Sequence, residues 1–97
     1  MSLLEEWEKL VDFLRVRKRD YTLTFRKNLS GQAVLRDLAP FCRANTTCYH
    51  PEEFMRGVLT GRREVWLRIQ HHLNMTEEEL ATLYSGRSLK PKEDDHA

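Results

Sequence analysis

Apolar positions along this chain recur with the period of a helix. Leu3, Trp7, Leu10, Leu14, Tyr21 and Phe25 follow at spacings of three, four or seven, and Val11 widens the stripe. That period places them on one side of one helix. Ser2 and Glu5 form a capping-box pattern, so a first helix is predicted over Leu3–Phe25. Lys27-Asn28-Leu29-Ser30-Gly31 interrupts it. Ser30 is the expected N-cap of a second helix, about Gly31 to Ala44, with Val34, Leu35, Leu38, Phe41 and Cys42 as its apolar set. Pro40 lies inside this pattern and removes a backbone donor, so a kink or restart is expected there.

After a connector over Asn45-Thr46-Thr47-Cys48-Tyr49-His50, Pro51 suits the first position of a third helix, with Glu52 and Glu53 in its first turn. Phe54, Val58, Val65, Ile69 and His72 fall together on the wheel, and Met55, Leu59, Trp66 and Leu73 adjoin them. So wide an apolar face predicts the central helix of the fold. Gly61 points into this stripe, so a close helix crossing is expected there; Gly57 lies at its edge. Thr76-Glu77-Glu78-Glu79 is a second capping box, opening a short helix through Leu80, Leu83 and Tyr84 that Ser85-Gly86 ends. The expected fold is all-α: a compact bundle of three main helices plus a short fourth, one domain over residues 1–86, followed by a flexible charged tail over 87–97.

Charge changes this picture locally. The net charge is +1, which gives no global case for nucleic acid. Residues 1–12 nevertheless carry Glu5, Glu6, Glu8 and Asp12 against Lys9, a net −3, and residues 13–27 carry Arg15, Arg17, Lys18, Arg19, Arg26 and Lys27 against Asp20, a net +5. Much of that gradient suits the dipole of a single helix. Arg17, Lys18, Arg26, Lys27, Arg63 and Arg68 are the candidate phosphate contacts should they share a face. Glu52 and Glu53 would repel DNA at the start of the third helix, where a recognition helix makes its base contacts.

No apolar run approaches a membrane span, and Glu5, Glu6 and Glu8 stand where a secretory leader needs a basic and apolar start. Cys42 and Cys48 suggest no disulfide framework, so a reduced, cytosolic setting is expected. Cys42, Cys48, His50 and His71-His72 contain zinc-binding elements, but Cys-x5-Cys is not the short clip of structural zinc sites. No nucleophile–base signature or phosphate-cradling loop is present. No enzymatic activity, cofactor or metal is therefore expected.

Three blocks taken together resemble a known family. They are Arg19-Asp20-Tyr21 with Thr24-Phe25; Gly31 with Val34-Leu35-Arg36-Asp37-Leu38 and Phe41-Cys42; and Gly61-Arg62-Arg63-Glu64-Val65-Trp66-Leu67-Arg68-Ile69. Their order and spacing resemble a family of small tailed-bacteriophage proteins of the Bordetella-phage type, encoded among head and tail genes. The likeness covers about residues 15–84. It implies a virion-associated or assembly protein with no established enzymatic role, and supplies no catalytic residues. The expected function is a non-enzymatic structural or accessory component acting through contacts with other phage proteins or with itself, in the virion or the host cytoplasm. A small nucleic-acid-binding protein is the alternative; a host-directed inhibitor is a third class.

Two groups of residues carry these expectations. Phe13, Val16 and Leu23 lie off the main stripe of the first helix, where Arg15 and Arg19 would rim a partner surface. Arg62 projects between the two apolar stripes of the third helix, beside Val58, Leu59, Val65 and Trp66. An unpaired charge there is costly, so a buried ion pair with Asp37 or Asp20 is expected, with Arg63 facing solvent.

Overall fold

A computed structural model describes residues 2–86. They form four helices and no strand: α1 (Leu3–Phe25), α2 (Leu29–Phe41), α3 (Glu53–Asn74) and α4 (Glu77–Ser85). Residues 87–97, the expected tail, lie outside the described residues.

Local chemistry explains most boundaries. The Ser2 side chain accepts from the Glu5 N–H at 3.1 Å and starts α1. At α4 the box is reciprocal: the Thr76 hydroxyl accepts from the Glu79 N–H at 3.1 Å, and the Glu79 carboxylate from the Thr76 N–H at 2.9 Å. Gly86 closes α4 at φ 74°, the left-handed cap that glycine adopts without a Cβ clash.

α2 departs from expectation at both ends. Asn28, not Ser30, is its cap, accepting from the Gly31 N–H at 3.0 Å. This draws Gly31 into the first turn, where its backbone meets the end of α1. A Cβ on Gly31 would strike the carbonyl oxygen of Thr24 and lie 2.8 Å from its carbon. Gln32 closes the corner by donating to the Arg26 carbonyl at 2.7 Å. Pro40 neither kinks nor restarts the helix, because it falls in the last turn. The Arg43 N–H returns to the Pro40 carbonyl at 3.1 Å and the Ala44 N–H to Ala39 at 2.9 Å, with Arg43 at φ 55°. This is a Schellman closure with arginine at the position usually held by glycine.

α3 begins at Glu53 rather than at Pro51. The His50 ring accepts from the Glu52 N–H at 3.0 Å, and Arg56 donates to the His50 carbonyl at 2.8 Å. These bonds hold Pro51 in the turn before the helix.

The packing corrects the expected architecture. The central helix is α1, which touches all three others. Trp7, Val11 and Leu14 of α1 close over Leu80 and Ala81 of α4, flanked by Leu10 and Met75. α3 buries only Leu59, Ile69, His72 and Leu73, and α2 buries nothing. The bundle is not compact: its Cα atoms span 53 × 36 × 17 Å with a radius of gyration of 17.0 Å, against about 13 Å for a compact domain of this length. The apolar face that suggested a central α3 is real, but the described residues cover only part of it.

Candidate protein-interaction surface

The residues left uncovered are apolar. On α2 and α3 they include Leu29 (81% exposed), Phe54 (78%), Val34, Phe41 and Val65. A shallow groove of about 350 Å³ runs beside Val65 and Ile69, walled by Asp20, Tyr21, Thr24 and Phe25 of α1. A helix as short as α2 is marginal in water unless it buries an apolar face. Here that face is only partly covered by the described residues: Leu35 and Leu38 are half-buried while Val34 and Phe41 are exposed, more than single stray apolar residues explain.

Gly57 and Gly61 belong to the same exposed side of α3. A Cβ at either would meet nothing within 4 Å, so none of the described helices crosses at Gly61. The close approach that a glycine permits occurs at Gly31. The signal was there in the sequence, since Gly31 follows the break between two helices and a tight corner needs backbone contact.

The outer side of α1 is the second exposed region. Phe13, Val16 and Leu23 are each about half exposed, and α4 leaves all three uncovered. Arg15 bonds Asp12 one turn away and reaches Glu77 of α4 at 3.8 Å; Arg19 reaches Asp20 at 3.8 Å. Leu23 lies in a groove with Arg15, Lys18, Arg19 and Lys27, faced by Glu77.

The expected ion pair at Arg62 does not form. Asp37 is exposed, and Asp20 is exposed beside Arg19. Arg62 is half-buried with its guanidinium 4.2 Å from the centroid of the Phe41 ring. The ring face supplies the negative potential that a carboxylate was expected to give, without burying a second charge. Arg63 is also corrected. It is half-buried, donates to the Thr46 carbonyl at 3.1 Å and approaches the Cys48 sulfur at 4.0 Å, so it ties the α2–α3 connector to α3.

The candidate phosphate contacts do not converge. Arg17 lies 4.5 Å over Phe13 and Arg68 lies 5.2 Å over Tyr84. Lys18 donates to the carbonyls of His72 (3.2 Å) and Leu73 (3.4 Å), a cation at the negative end of α3. Arg26 bonds the Asn74 side chain. Of the six, Lys18 and Lys27 share a groove. Cys42 is buried, the half-buried Cys48 thiol donates weakly to the Leu59 carbonyl at 3.7 Å, and both are free thiols. Among the described residues no three His, Cys, Asp or Glu side chains gather as metal ligands.

His72 is the one buried polar residue of the core among the described residues. Its Nδ1 is 2.9 Å from the Arg68 carbonyl, which can only accept, so Nδ1 carries the proton. Nε2 then accepts from the Tyr84 hydroxyl at 3.1 Å. The Tyr21 ring stacks on the imidazole at 4.3 Å with a 9° tilt. One ring thereby joins α1, α3 and α4. Burial, the largest influence, holds its pKa below the ordinary 6.5; the Arg68 carbonyl opposes this, and the charges of Arg68, Arg17 and His71 reinforce it. The helical period placed His72 on an apolar stripe, but its two tyrosine partners lie on other helices and were beyond reach of that argument.

No helix among the described residues is long and apolar enough to cross a membrane. The sequence pattern of the Bbp19-like phage proteins matches residues 17–85, and the chain belongs to that family. No characterised protein and no solved structure matches it.

Proposed function

We propose that this member of the Bbp19-like phage family is a non-enzymatic accessory of particle assembly or structure that works by binding other phage proteins, in the virion or in the host cytoplasm. The observation that carries this reading is the number of large apolar side chains left exposed on two helices: Leu29, Val34 and Phe41 of α2, which has no fully buried side chain, and Phe54 and Val65 of α3. An apolar surface of this kind is covered by protein in its working state. The rim fits: Asp37, Arg36, Glu53 and Glu64 are exposed polar residues on the same two helices.

The nucleic-acid alternative draws less support. Arg17 and Arg68 lie over aromatic rings, Lys18 bonds helix-end carbonyls and Arg26 an asparagine; Lys18 and Lys27 do line a groove with Arg15 and Arg19, but Glu77 stands in it. A phosphate-tracking surface requires them to line one groove.

Mass spectrometry of purified particles, with host lysate at matched depth, tests the reading. Enrichment in particles or in assembly intermediates supports it. Absence from both, together with capture of a host enzyme, would point to a host-directed inhibitor. A gel shift that weakens steeply with salt would favour nucleic acid, because phosphate binding releases counterions.

A further inference from the structure

The outer face of α1 carries an inference about which protein binds there. It rests on the protein-contact reading above and narrows it to one partner. We infer that α1 pairs antiparallel with α1 of a second copy of this chain, about a two-fold axis beside Val16, with Asp12 of each copy facing Arg19 of the other.

Three observations lead there. The face is open: Trp7, Val11 and Leu14 take the opposite side of α1 into the core, leaving Phe13, Val16 and Leu23 about half exposed. The helix is polarised along its length: Glu5, Glu6, Glu8 and Asp12 outweigh Lys9 in its first half, and Arg15, Arg17, Lys18 and Arg19 outweigh Asp20 after them, although Lys18 is turned to the end of α3. Its apolar centre, Phe13 and Val16, sits where the sign changes. A parallel partner would set acid beside acid and base beside base. An antiparallel second copy sets each acidic half against a basic half, and needs no other sequence to do so.

The register follows from the period of the helix. Asp12 and Arg19 are seven residues apart, so they occupy the same flank of the outer face. Antiparallel helices related by a two-fold axis bring like flanks together. An axis beside Val16 therefore opposes Asp12 to Arg19 twice, once on each side, while the Val16 side chains of the two copies meet at the axis and Phe13 lines the opposite flank. The residues of each pair are free to exchange partners, because Asp12 and Arg19 are largely exposed and their present ion pairs lie within α1. Such surface pairs hold little stability within one chain. A contact along a 23-residue helix is small for a protein interface, so the dimer is a weak, salt-sensitive one.

Sedimentation equilibrium of the purified chain over a range of protein and salt concentrations tests this. The wild type is expected to show a monomer–dimer equilibrium that shifts to monomer as salt rises. Asp12→Arg alone and Arg19→Asp alone each create two like-charge oppositions and should weaken the dimer about tenfold or more. An equimolar mixture of the two variants restores both pairs in the heterodimer, and should associate like the wild type. Circular dichroism confirms that each variant is folded. Phe13→Ser with Val16→Ser should abolish association whatever the charges. A monomeric wild type at every concentration would overturn the pairing. So would single variants that dimerise normally, or a mixture that associates no better than its components. None of these results bears on enrichment in particles, so the pairing and the wider function fail separately.

Discussion

The hydroxyl of Tyr84 lies 3.1 Å from Nε2 of His72 and donates to it in the neutral ring, the form that burial favours. Protonation would turn Nε2 into a donor and place a cation among Lys18 and Arg17 of α1 and Arg68 and His71 of α3, with Tyr21 stacked on the ring. In the unfolded chain the ring titrates at its ordinary 6.5, and in the folded chain lower. The unfolded state therefore binds the proton first. The stability contributed by neutral His72 is complete above 6.5 and is lost as pH falls from there toward the folded-state value. Urea unfolding at stepped pH should show this decline, and His72→Gln should flatten it. Constant wild-type stability down to the carboxylate range would refute the assignment. The Glu79 carboxylate, held below its usual 4.5 by its bonds to Thr76, acts in a lower window: its contribution is present above 4.5 and is lost below.

Tyr84→Phe leaves Nε2 buried without a donor. A loss of about 1–3 kcal/mol at neutral pH is expected, from the desolvated acceptor. The thermal midpoint measures it; an unchanged midpoint would mean that water reaches the ring.

Gly31 and Gly61 should respond in opposite directions to alanine. At Gly31 the added methyl strikes the Thr24 backbone, which cannot move without opening the α1–α2 corner, so a loss of about 1–3 kcal/mol is expected. At Gly61 nothing stands within 4 Å, and the gain in helix propensity should stabilise by up to about 1 kcal/mol. Melting curves of the two variants that shift the same way would contradict this geometry.

Arg62→Ala should cost only about 0.5–2 kcal/mol, the range of a cation over an aromatic face, rather than the larger penalty of breaking a buried ion pair. A double-mutant cycle with Phe41→Leu isolates the contact. Coupling to Asp37 or Asp20 in place of Phe41 would restore the ion-pair account.

Helix number, order and type were legible in the sequence because each helix has a clean apolar period and three of the four have recognisable caps. The cap of α2 was not. Ser30 and Asn28 are equally good caps by residue type, and only the contact of Gly31 with Thr24 decides between them. The candidate surface on α1 could be read from Phe13, Val16 and Leu23, since residues off a core stripe face outward. The exposure of apolar residues on α2 and α3 could not. A wheel shows which residues are apolar but not whether the same chain covers them, so Phe54 and Val65 were read as core. Arg62 was read as needing an acid because periodicity gives burial but not neighbours, and an aromatic ring satisfies a guanidinium as well.

The central claim is that the exposed apolar residues of α2 and α3 are covered by another phage protein during assembly. Phage complementation with Val34→Ser plus Phe54→Ser tests it most directly, both residues being exposed. The account predicts that the purified variant keeps the helical content and melting midpoint of the wild type, while infectious particle yield collapses and the protein is lost from particles or assembly intermediates. A folded variant that supports wild-type yield and is incorporated normally would contradict it.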